Sequence, residues 1–193
     1  SSAVIPLMDK GSKVIGQGDI KKVNGQARLL GVKMEEQVLH DFPQFYRADD
    51  MNPALNPNGL YGRKLEVGLL MVVAKDRVNN IIKAVNQAGY DIAGLFFNSY
   101  AAGEASLSKK NKSDGAVLVD IGSSVTNVLI FKDGILRYFE TIPMGGDHVT
   151  RSIAHSLNLS FDLAEDIKKS YAVASTSDAN KDEEILVKKE TTY

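Results

Sequence analysis

Cysteine is absent from this chain of 193 residues. Without cysteine the protein can form no disulfide framework, no thiolate metal site and no thiol nucleophile. Histidine is scarce as well, and the three present, His40, His148 and His155, do not have the spacing of zinc ligands. The lack of cysteine agrees with a cytoplasmic protein, which is the location that we expect.

An excess of one charge and a long apolar run are missing too. Lysine and arginine together number 23 and aspartate and glutamate 24, so the formal net charge is -1. This balance excludes a generally basic nucleic-acid binder. The longest apolar run, residues 67–74, is far shorter than the roughly 20 residues that span a bilayer. With 44% hydrophobic and 24% charged residues, the composition is that of a soluble globular protein.

The first third of the chain is rich in extended segments. Residues 3–7 are predicted to form a strand, and the continuous apolar run at 65–74 predicts a strand in the centre of a sheet. Between them, residues 37–46 read as an extended segment in which Pro43 indicates a sheet edge or a bulge. A helix over residues 18–27 is only weakly favoured, because an internal glycine lowers the helical propensity.

Helices are predicted in the middle of the chain. Four apolar residues repeat at helical spacing between Asp76, a good N-cap, and Gly89, a typical C-terminal glycine. A short strand over residues 91–97 and a second helix over 98–107 are expected to follow. The polar residues 108–115 are interpreted as a solvated loop, because such a charge run needs no ligand to explain it.

The last part of the chain reads as three strands followed by two helices. Asp133 and Gly134 between apolar runs are the strongest short signal for a hairpin. Because the chain begins and ends within expected strands, we expect it to be a segment of a longer protein. The predicted strands cover residues 116–121, 126–131 and 135–142, with a further one starting at 184–188, and the helices run from the cap Asp147 to 157 and from Ser160 or Asp162 to 174.

A tight turn of small residues follows Asp120 at the end of a predicted strand. Successive backbone N–H groups at Gly122, Ser123 and Ser124 can form a concavity that binds an anion. The carboxylate of Asp120 cannot face a bare phosphate, but it can hold the water shell of Mg2+. The arrangement therefore suits the terminal phosphates of a nucleotide with magnesium between. The alternative is an ordinary hairpin with a turn stabilised by the aspartate.

Two further places could contribute to a ligand site. Gly145 and Gly146 precede a predicted helix, so a ligand could approach the backbone closely and the helical N–H groups would favour an anion. A plain loop followed by an N-cap is the alternative there. Glu165 and Lys168 lie three residues apart on one helix face, and by themselves they are typical of a solvated ion pair.

In combination and in this order, these segments resemble the actin superfamily of ATP-binding proteins. V-D-I-G at residues 119–122 is similar to the second phosphate motif of that superfamily, and F-N-S-Y-A-A-G at 97–103 resembles the helix that connects its two lobes. L-A-E-D-I-K at 163–168 resembles the helix that meets ribose and adenine, with Glu165 and Lys168 at the two contacting positions. The resemblance implies an α/β fold of the actin-like, ribonuclease H-like class, with mixed sheets and helices.

Within the superfamily the chain is similar to the FtsA family of bacterial cell-division proteins. The similarity lies in V-L-H-D-F-P-Q-F-Y at residues 38–46, N-P-N-G-L-Y-G-R-K-L-E at 56–66, and I-P-M-G-G-D-H-V-T at 142–150. The first two belong to the small β/α subdomain that is specific to this family. The resemblance implies three segments: an interaction subdomain at 1–74, the rest of the first lobe at 75–113, and the start of the second lobe at 114–193.

The resemblance also implies a function for the full-length protein. ATP and Mg2+ would bind between two lobes, and the protein would self-associate into filaments. It would contact FtsZ and later division proteins, and a C-terminal segment outside this chain would bind the inner face of the cell membrane at the division site. The implied nucleotide-binding residues are Asp120, which holds magnesium through water, Gly122, Ser123 and Ser124 at the phosphates, and Gly145, Gly146, Glu165 and Lys168 on the nucleoside side.

Departures from the superfamily pattern limit the expected activity. Ser123 and Ser124 stand where many relatives have glycine, and Asn98 matches a position at which relatives place a Gln or Glu that orients the attacking water. An amide can orient water but cannot act as a base, so we expect at most slow ATP hydrolysis by the full-length protein. The superfamily's first phosphate loop is not in this chain, and the loss of two or three phosphate donors costs roughly 3–9 kcal/mol. This segment is therefore expected to bind ATP at millimolar concentration or more weakly.

Three other interpretations remain open. The first is an actin-like assembly scaffold of the PilM type, which shares the D-I-G, G-G and A-E-x-x-K pattern but lacks the N-P-x-G segment. The second is a sugar or acid kinase of the superfamily, for which no candidate catalytic aspartate lies near Asn98 in the sequence. The third is an interaction module whose nucleotide site is vestigial.

Overall fold

The computed structural model describes residues 1–8, 11–75, 77–175, 177 and 185. The strands among them are β1 (Ser2–Pro6), β2 (Lys13–Val14), β3 (Glu36–Ala48), β4 (Tyr61–Gly62), β5 (Lys64–Lys75), β6 (Ala116–Ile121), β7 (Thr126–Lys132) and β8 (Ile135–Ile142). The helices are α1 (Gln17–Gly31), α2 (Arg77–Gln87), α3 (Asn98–Ser106), α4 (Lys109–Asp114), α5 (Gly146–Leu157) and α6 (Phe161–Tyr171). The predicted N-cap Asp76 and, apart from Ile185, the strand predicted at 184–188 lie outside the described residues.

The chain divides into two compact units. The first unit comprises Ser1–Leu118 and Leu129–Phe139, and the second comprises Val119–Val128 and Glu140–Tyr193. The division into three segments that the resemblance implies stays a prediction. Within the described ranges, every helix is too short or too polar to cross a bilayer.

An antiparallel sheet with strand order β1-β5-β3 forms the centre of the first unit. The prediction of a central strand is confirmed, since β5 pairs with a strand on each side. Leu65 and Val67 on β5 are fully buried, and α1 covers them with Val23 and Ala27, which are fully buried too. At about 25 cal/mol per Å2 of apolar surface, this burial is the main force that holds the helix on the sheet.

The sheet edge or bulge predicted from Pro43 is found in β3, which is an edge strand. Its pairing with β5 shifts register twice, between Val38 and His40 and between Pro43 and Phe45. Proline has no N–H to donate to a ladder, so it is tolerated at an edge or beside an irregularity. Both alternatives given by the sequence therefore apply.

The helix α1 is longer than the weakly favoured segment 18–27. Its start is held by Asp19, whose carboxylate accepts the Gly16 N–H at 3.0 Å and the Lys13 ammonium at 2.6 Å. Such a side chain satisfies a backbone donor that the helix itself leaves unpaired. Capping and burial together outweigh the cost of the internal glycines.

Two predictions for the segment between the sheets are wrong. Residues 91–97 form no strand, because no described strand pairs with them and the Phe97 N–H donates instead to His40 Nε2 at 3.0 Å. Residues 109–114, within the predicted loop, form the short helix α4. The Ser108 hydroxyl accepts the Asn111 N–H at 3.1 Å as an N-cap, and Lys112 is buried in an ion pair with Glu104 at 2.6 Å. The segment is therefore a capped helix with a buried, ion-paired lysine, and not the solvated loop that the sequence predicted.

A second sheet has the strand order β6-β7-β8, as the three predicted strands require. The hairpin turn between β7 and β8 is confirmed, with φ of 55° at Asp133 and 79° at Gly134. Positive φ at both residues is the geometry of the tight turn that matches strand twist. The two helices α5 and α6 then pack on each other in the second unit, and Ser160, one of the two predicted starts, caps α6.

A second apolar cluster of the first unit lies around Phe131 on β7. The buried Leu129, Phe131 and Leu136 form it, and Tyr100 and Leu118 pack against them. The ring of Phe131 lies so close to α3 that a Cβ built on Gly103 would be 2.9 Å from its Cζ. Glycine at this helical position therefore allows the ring to approach the backbone.

His40 lies in a half-buried aromatic group beside Phe42, Phe96 and Tyr100. Its Nε2 accepts the Phe97 N–H, so that nitrogen carries no proton. Burial lowers the pKa of His40, against a smaller opposing effect of the Asp41 charge. The native protein therefore favours the neutral imidazole.

Acidification is expected to destabilise the protein through His40. Because its native pKa is lowered, the unfolded chain binds more protons than the native protein below about pH 6.5, and stability falls as the pH drops from there. Urea denaturation at pH 7.5 and 5.5 tests this by comparing His40→Gln with His155→Gln, an exposed histidine. The His40 variant should lose less stability on acidification than the wild-type chain, whereas the His155 variant should lose as much. Equal losses in all three would contradict the prediction.

Candidate functional site

A bend of four residues joins β6 to β7 in the second unit. The Gly122 N–H donates to the Val125 carbonyl at 2.9 Å, which closes the bend. Gly122, Ser123 and Ser124 are exposed, and Asp120 lies half-buried just before them, near the end of β6. The structure therefore places the phosphate-side residues that the sequence singled out on one exposed turn.

The start of α5 packs directly on this bend. The Gly146 N–H donates to the Gly122 carbonyl at 3.0 Å, and the Asp147 N–H donates to the Ser123 carbonyl at 2.7 Å. The Ser124 hydroxyl donates to the Asp147 carboxylate at 3.1 Å. Three hydrogen bonds thus hold the bend in one conformation against the helix.

These bonds also set the direction of the backbone donors in the bend. In a trans peptide the C=O of one residue and the N–H of the next point in opposite directions. Because the carbonyls of Gly122 and Ser123 face α5, the N–H groups of Ser123 and Ser124 point away from it. Neither N–H group bonds to any residue that the structure describes, and both residues are exposed. Two neighbouring donors therefore face solvent, as an anion site requires.

Gly145 is required by this packing. A Cβ built on it would lie 2.4 Å from the Gly122 carbonyl oxygen and 2.6 Å from that of Ser123. At Gly146 the nearest atom to a built Cβ is the Lys168 Nζ at 3.4 Å, the end of a flexible side chain. The first glycine thus allows two backbone segments of the protein to approach each other.

The first N–H groups of α5 are used within the protein. The sequence predicted Asp147 as the N-cap of this helix, but the N-cap is Gly145. The helix already begins at Gly146, because the N–H groups of its first residues bond to carbonyls of the bend. The Gly145 N–H donates to His148 Nδ1 at 3.1 Å, and the His148 N–H donates back to the Gly145 carbonyl at 3.0 Å. With the N–H groups of Gly146 and Asp147 also bonded, these four residues offer no backbone donor to an anion.

Glu165 and Lys168 on α6 meet the fully buried hydroxyl of Thr150 on α5. Lys168 Nζ donates to Thr150 Oγ1 at 2.8 Å and to the Gly146 carbonyl at 3.3 Å, and lies 2.6 Å from a Glu165 carboxylate oxygen. The Thr150 hydroxyl donates to that same carboxylate oxygen. The three protons of the ammonium group therefore all have protein acceptors. Unlike a solvated ion pair, this group joins two helices.

The carboxylate of Glu165 is held in its charged form. Hydrogen bonds from Lys168, then Thr150, outweigh desolvation and lower the pKa of Glu165 to about 2, with a smaller contribution from Lys169. A carboxyl group with this pKa is ionised throughout the physiological range. The site therefore presents a permanent anion on its α6 side.

Thr150 was not among the predicted site residues, and the water-orienting role of Asn98 stays a prediction. Thr150, which is buried, and the half-buried Ile153 and Ala154 are spaced at i, i+3 and i+4 on one helix face, so a polar residue in this stripe was the available signal. Asn98 is the exposed first residue of α3 in the first unit. The remaining predicted residues, from Asp120 to Lys168, all belong to the second unit.

Comparisons with known proteins agree at both ends of the chain. The family model described as "SHS2 domain inserted in FTSA" matches residues 1–73, and the one described as "Cell division protein FtsA" matches residues 117–192. The cell division protein FtsA of Bacillus subtilis is 32% identical over 173 residues, which are 89% of this chain and 39% of that protein. FtsA of Pseudomonas aeruginosa is 31% identical over 188 residues, 97% of this chain and 44% of that protein. The chain thus spans about two fifths of the length of these relatives.

A solved structure confirms the fold. A chain of the PilM-PilN type IV pilus biogenesis complex superposes with a TM-score of 0.57 over 89% of this chain and 47% of its own length. At 18% identity this likeness concerns the fold alone, which is the predicted α/β, actin-like class. This likeness does not decide between the FtsA-type and PilM-type interpretations, whereas both sequence relatives described above are FtsA proteins. On these matches to residues 1–73 and 117–192, the chain belongs to the FtsA family of cell-division proteins.

Proposed function

We propose that this chain carries the second phosphate-binding bend and the nucleoside-side helices of an ATP–magnesium site, which further chain of the full-length protein completes. The observation that carries the proposal is the pair of N–H groups at Ser123 and Ser124, which the contacts with α5 turn toward solvent. A phosphate oxygen is the ligand that such neighbouring backbone donors fit.

The donor set on the phosphate side is smaller than the sequence suggested. The hydroxyl of Ser124 is bonded to Asp147, so Ser123 supplies the available hydroxyl together with the two N–H groups. Asp120 lies near the end of β6, two residues before Gly122, and would supply a carboxylate for the water shell of Mg2+. The bound metal would neutralise phosphate charge, and the chain's own residues would hold the phosphates in place.

On the nucleoside side, Glu165 is the better placed of the two contacting residues. Its carboxylate is anionic and 23% exposed, so it can accept a hydrogen bond from a ribose hydroxyl. Lys168 already donates to three protein acceptors, of which the Gly146 carbonyl at 3.3 Å is the most distant. Lys168 therefore acts mainly by holding Glu165 and the start of α5. Gly145 and Gly146 contribute by letting α5 lie against the bend.

For the full-length protein we propose the role that its family name indicates. It self-associates into filaments and links the FtsZ ring to the inner face of the cell membrane during division, with later division proteins as further partners. The match of residues 1–73 to the domain inserted in FtsA supports an interaction role for that part. ATP turnover, with Asn98 orienting water, is slow and serves at most as a switch.

An NMR titration of the 193-residue chain with Mg-ATP tests the nucleotide site. Millimolar Mg-ATP is expected to shift the amide signals of Gly122, Ser123 and Ser124, with weak affinity because the first phosphate loop is not in this chain. Asp120→Asn should abolish the difference between ATP with and without Mg2+, because the amide cannot hold the metal's water shell as a charge does.

Asp166→Asn is the matched control, because it removes one charge from an exposed position of α6. It should leave the magnesium dependence intact. If saturating Mg-ATP moves none of the three amide signals, the bend is no phosphate site and the interaction-module interpretation is correct. Micromolar affinity would contradict the estimate that most of the phosphate donors lie elsewhere.

A further inference from the structure

We infer that Thr150 is a positioning residue, which holds Glu165 and Lys168 in one arrangement and joins them through Gly146 to the bend after Asp120. The inference rests on the proposed nucleotide site. It adds to that site a residue that connects the nucleoside side to the phosphate side. Thr150 itself is fully buried and would not touch the nucleotide.

The hydroxyl of Thr150 suits this position because it donates and accepts at once. It has one proton, which goes to the carboxylate of Glu165, and its lone pairs accept the Lys168 ammonium at 2.8 Å. Lys168 is a donor and Glu165 is an acceptor, so a side chain that bonds to both must accept from one and donate to the other. Valine has the same shape without either capacity, and serine keeps both.

The backbone of α5 fixes where this hydroxyl lies. A threonine in a helix has few allowed side-chain rotamers, and one of them brings Oγ1 to the carbonyl four residues earlier. Here that carbonyl belongs to Gly146, and Oγ1 lies 3.2 Å from its oxygen. The helical rotamer thus brings the hydroxyl to the place where its one proton reaches Glu165, and the Gly146 carbonyl accepts from Lys168 instead.

A continuous path of bonds runs from α6 to the bend. Lys168 Nζ donates to the Gly146 carbonyl at 3.3 Å, and the Gly146 N–H donates to the Gly122 carbonyl at 3.0 Å. The peptide of Gly122 carries the N–H of Ser123, one of the two proposed phosphate donors. A change that releases Lys168 from Thr150 therefore loosens the first turn of α5, on which the donor depends.

Among the described residues, few charged side chains contact the group formed by Thr150, Glu165 and Lys168. Lys168 and Lys169 on α6 contact the Glu165 carboxylate, the latter at 3.3 Å. From α5 the contacting group is the neutral hydroxyl of Thr150, and His148 on that helix has its Nδ1 bonded to the Gly145 N–H. The arrangement is therefore linked to α5 by the threonine hydroxyl and by the Gly146 carbonyl, which accepts from Lys168 at 3.3 Å.

The test compares Thr150→Val with Thr150→Ser in the 193-residue chain by NMR without nucleotide. The ammonium protons of Lys168 are expected to exchange slowly enough to be observed in the wild-type chain and in the serine variant, and to be lost in the valine variant. Hydrogen exchange at the Gly146 N–H should be about tenfold faster in the valine variant only. A residue that merely fills space would lower stability without separating the two variants in this way.

Titration with Mg-ATP supplies the functional readout. Thr150→Val is expected to weaken ATP binding about tenfold, the equivalent of one ordinary hydrogen bond, and Thr150→Ser to restore it. Equal affinity in both variants would overturn the positioning role. So would fast exchange of the Lys168 ammonium protons in the wild-type chain, a result that stands even if the valine variant does not fold. If Mg-ATP does not bind the wild-type chain, the proposed function fails, and the Lys168 signal still decides whether Thr150 holds the pair.

Discussion

Replacing Gly145 with alanine is expected to destabilise the second unit by about 3 kcal/mol, the upper range of ordinary overpacking. The added Cβ would lie 2.4 Å from one carbonyl oxygen and 2.6 Å from another, both of which belong to the bend after Asp120. Neither oxygen can move freely, because each accepts a hydrogen bond from the first turn of α5. Relief requires breaking these bonds, and the loss of α5 from the bend should follow.

Hydrogen exchange in increasing urea measures this effect, since it reports on α5 and α6 separately from the first unit. Gly146→Ala is the matched control, because the same methyl group there meets the mobile end of Lys168 at 3.4 Å. Its stability should stay within about 0.5 kcal/mol of the wild-type chain. Equal protection of α5 in the two variants would mean that the bend and the helix are not packed as described.

Truncating Phe131 to alanine is expected to cost about 3–5 kcal/mol in the first unit, as is usual for a buried phenylalanine. Its side chain is 1% exposed and lies between Gly103 on α3 and the leucines of the second sheet. The backbone of α3 lies against the ring itself, so the neighbours cannot close the space by small side-chain movements. A cavity and lost contacts therefore both add to the transfer cost.

Chemical denaturation with a probe in the first unit tests this expectation. Tyr90→Ala serves as its control, since it also removes an aromatic ring but from a side chain that is 71% exposed. We expect that control to change the stability by no more than about 0.5 kcal/mol. A cost below about 1 kcal/mol for the Phe131 variant would show that α3 does not depend on this cluster.

Strands and turns were predictable wherever one local signal decides the structure. The apolar run of β5, the Asp133–Gly134 turn and the three strands of the second sheet each show a clear pattern in neighbouring residues. The two wrong elements depend at least partly on contacts outside the segment itself. Residues 91–97 lack a described strand partner, and α4 gains from the ion pair of Lys112 with Glu104, a contact that no local pattern announces.

The candidate site also contains features that a local pattern predicts and features that depend on residues far apart in the sequence. The exposed bend after Asp120 followed from the order of small residues, which is a local pattern. The use of the first N–H groups of α5 by the bend could not be predicted, because Gly122 and Gly146 are far apart in sequence and near in space. Thr150 was missed for the same reason, since its partners Glu165 and Lys168 lie on the next helix.

The irregular edge strand β3 has a consequence for behaviour in solution. A long, regular edge exposes a row of unpaired backbone groups on which another chain can assemble, and this is a common route to aggregation. In β3 the shifts at Val38 and at Pro43 interrupt that row, and the backbone of Tyr46 is already paired with Ala54. We therefore expect the isolated chain to resist strand-to-strand aggregation despite an edge of 13 residues.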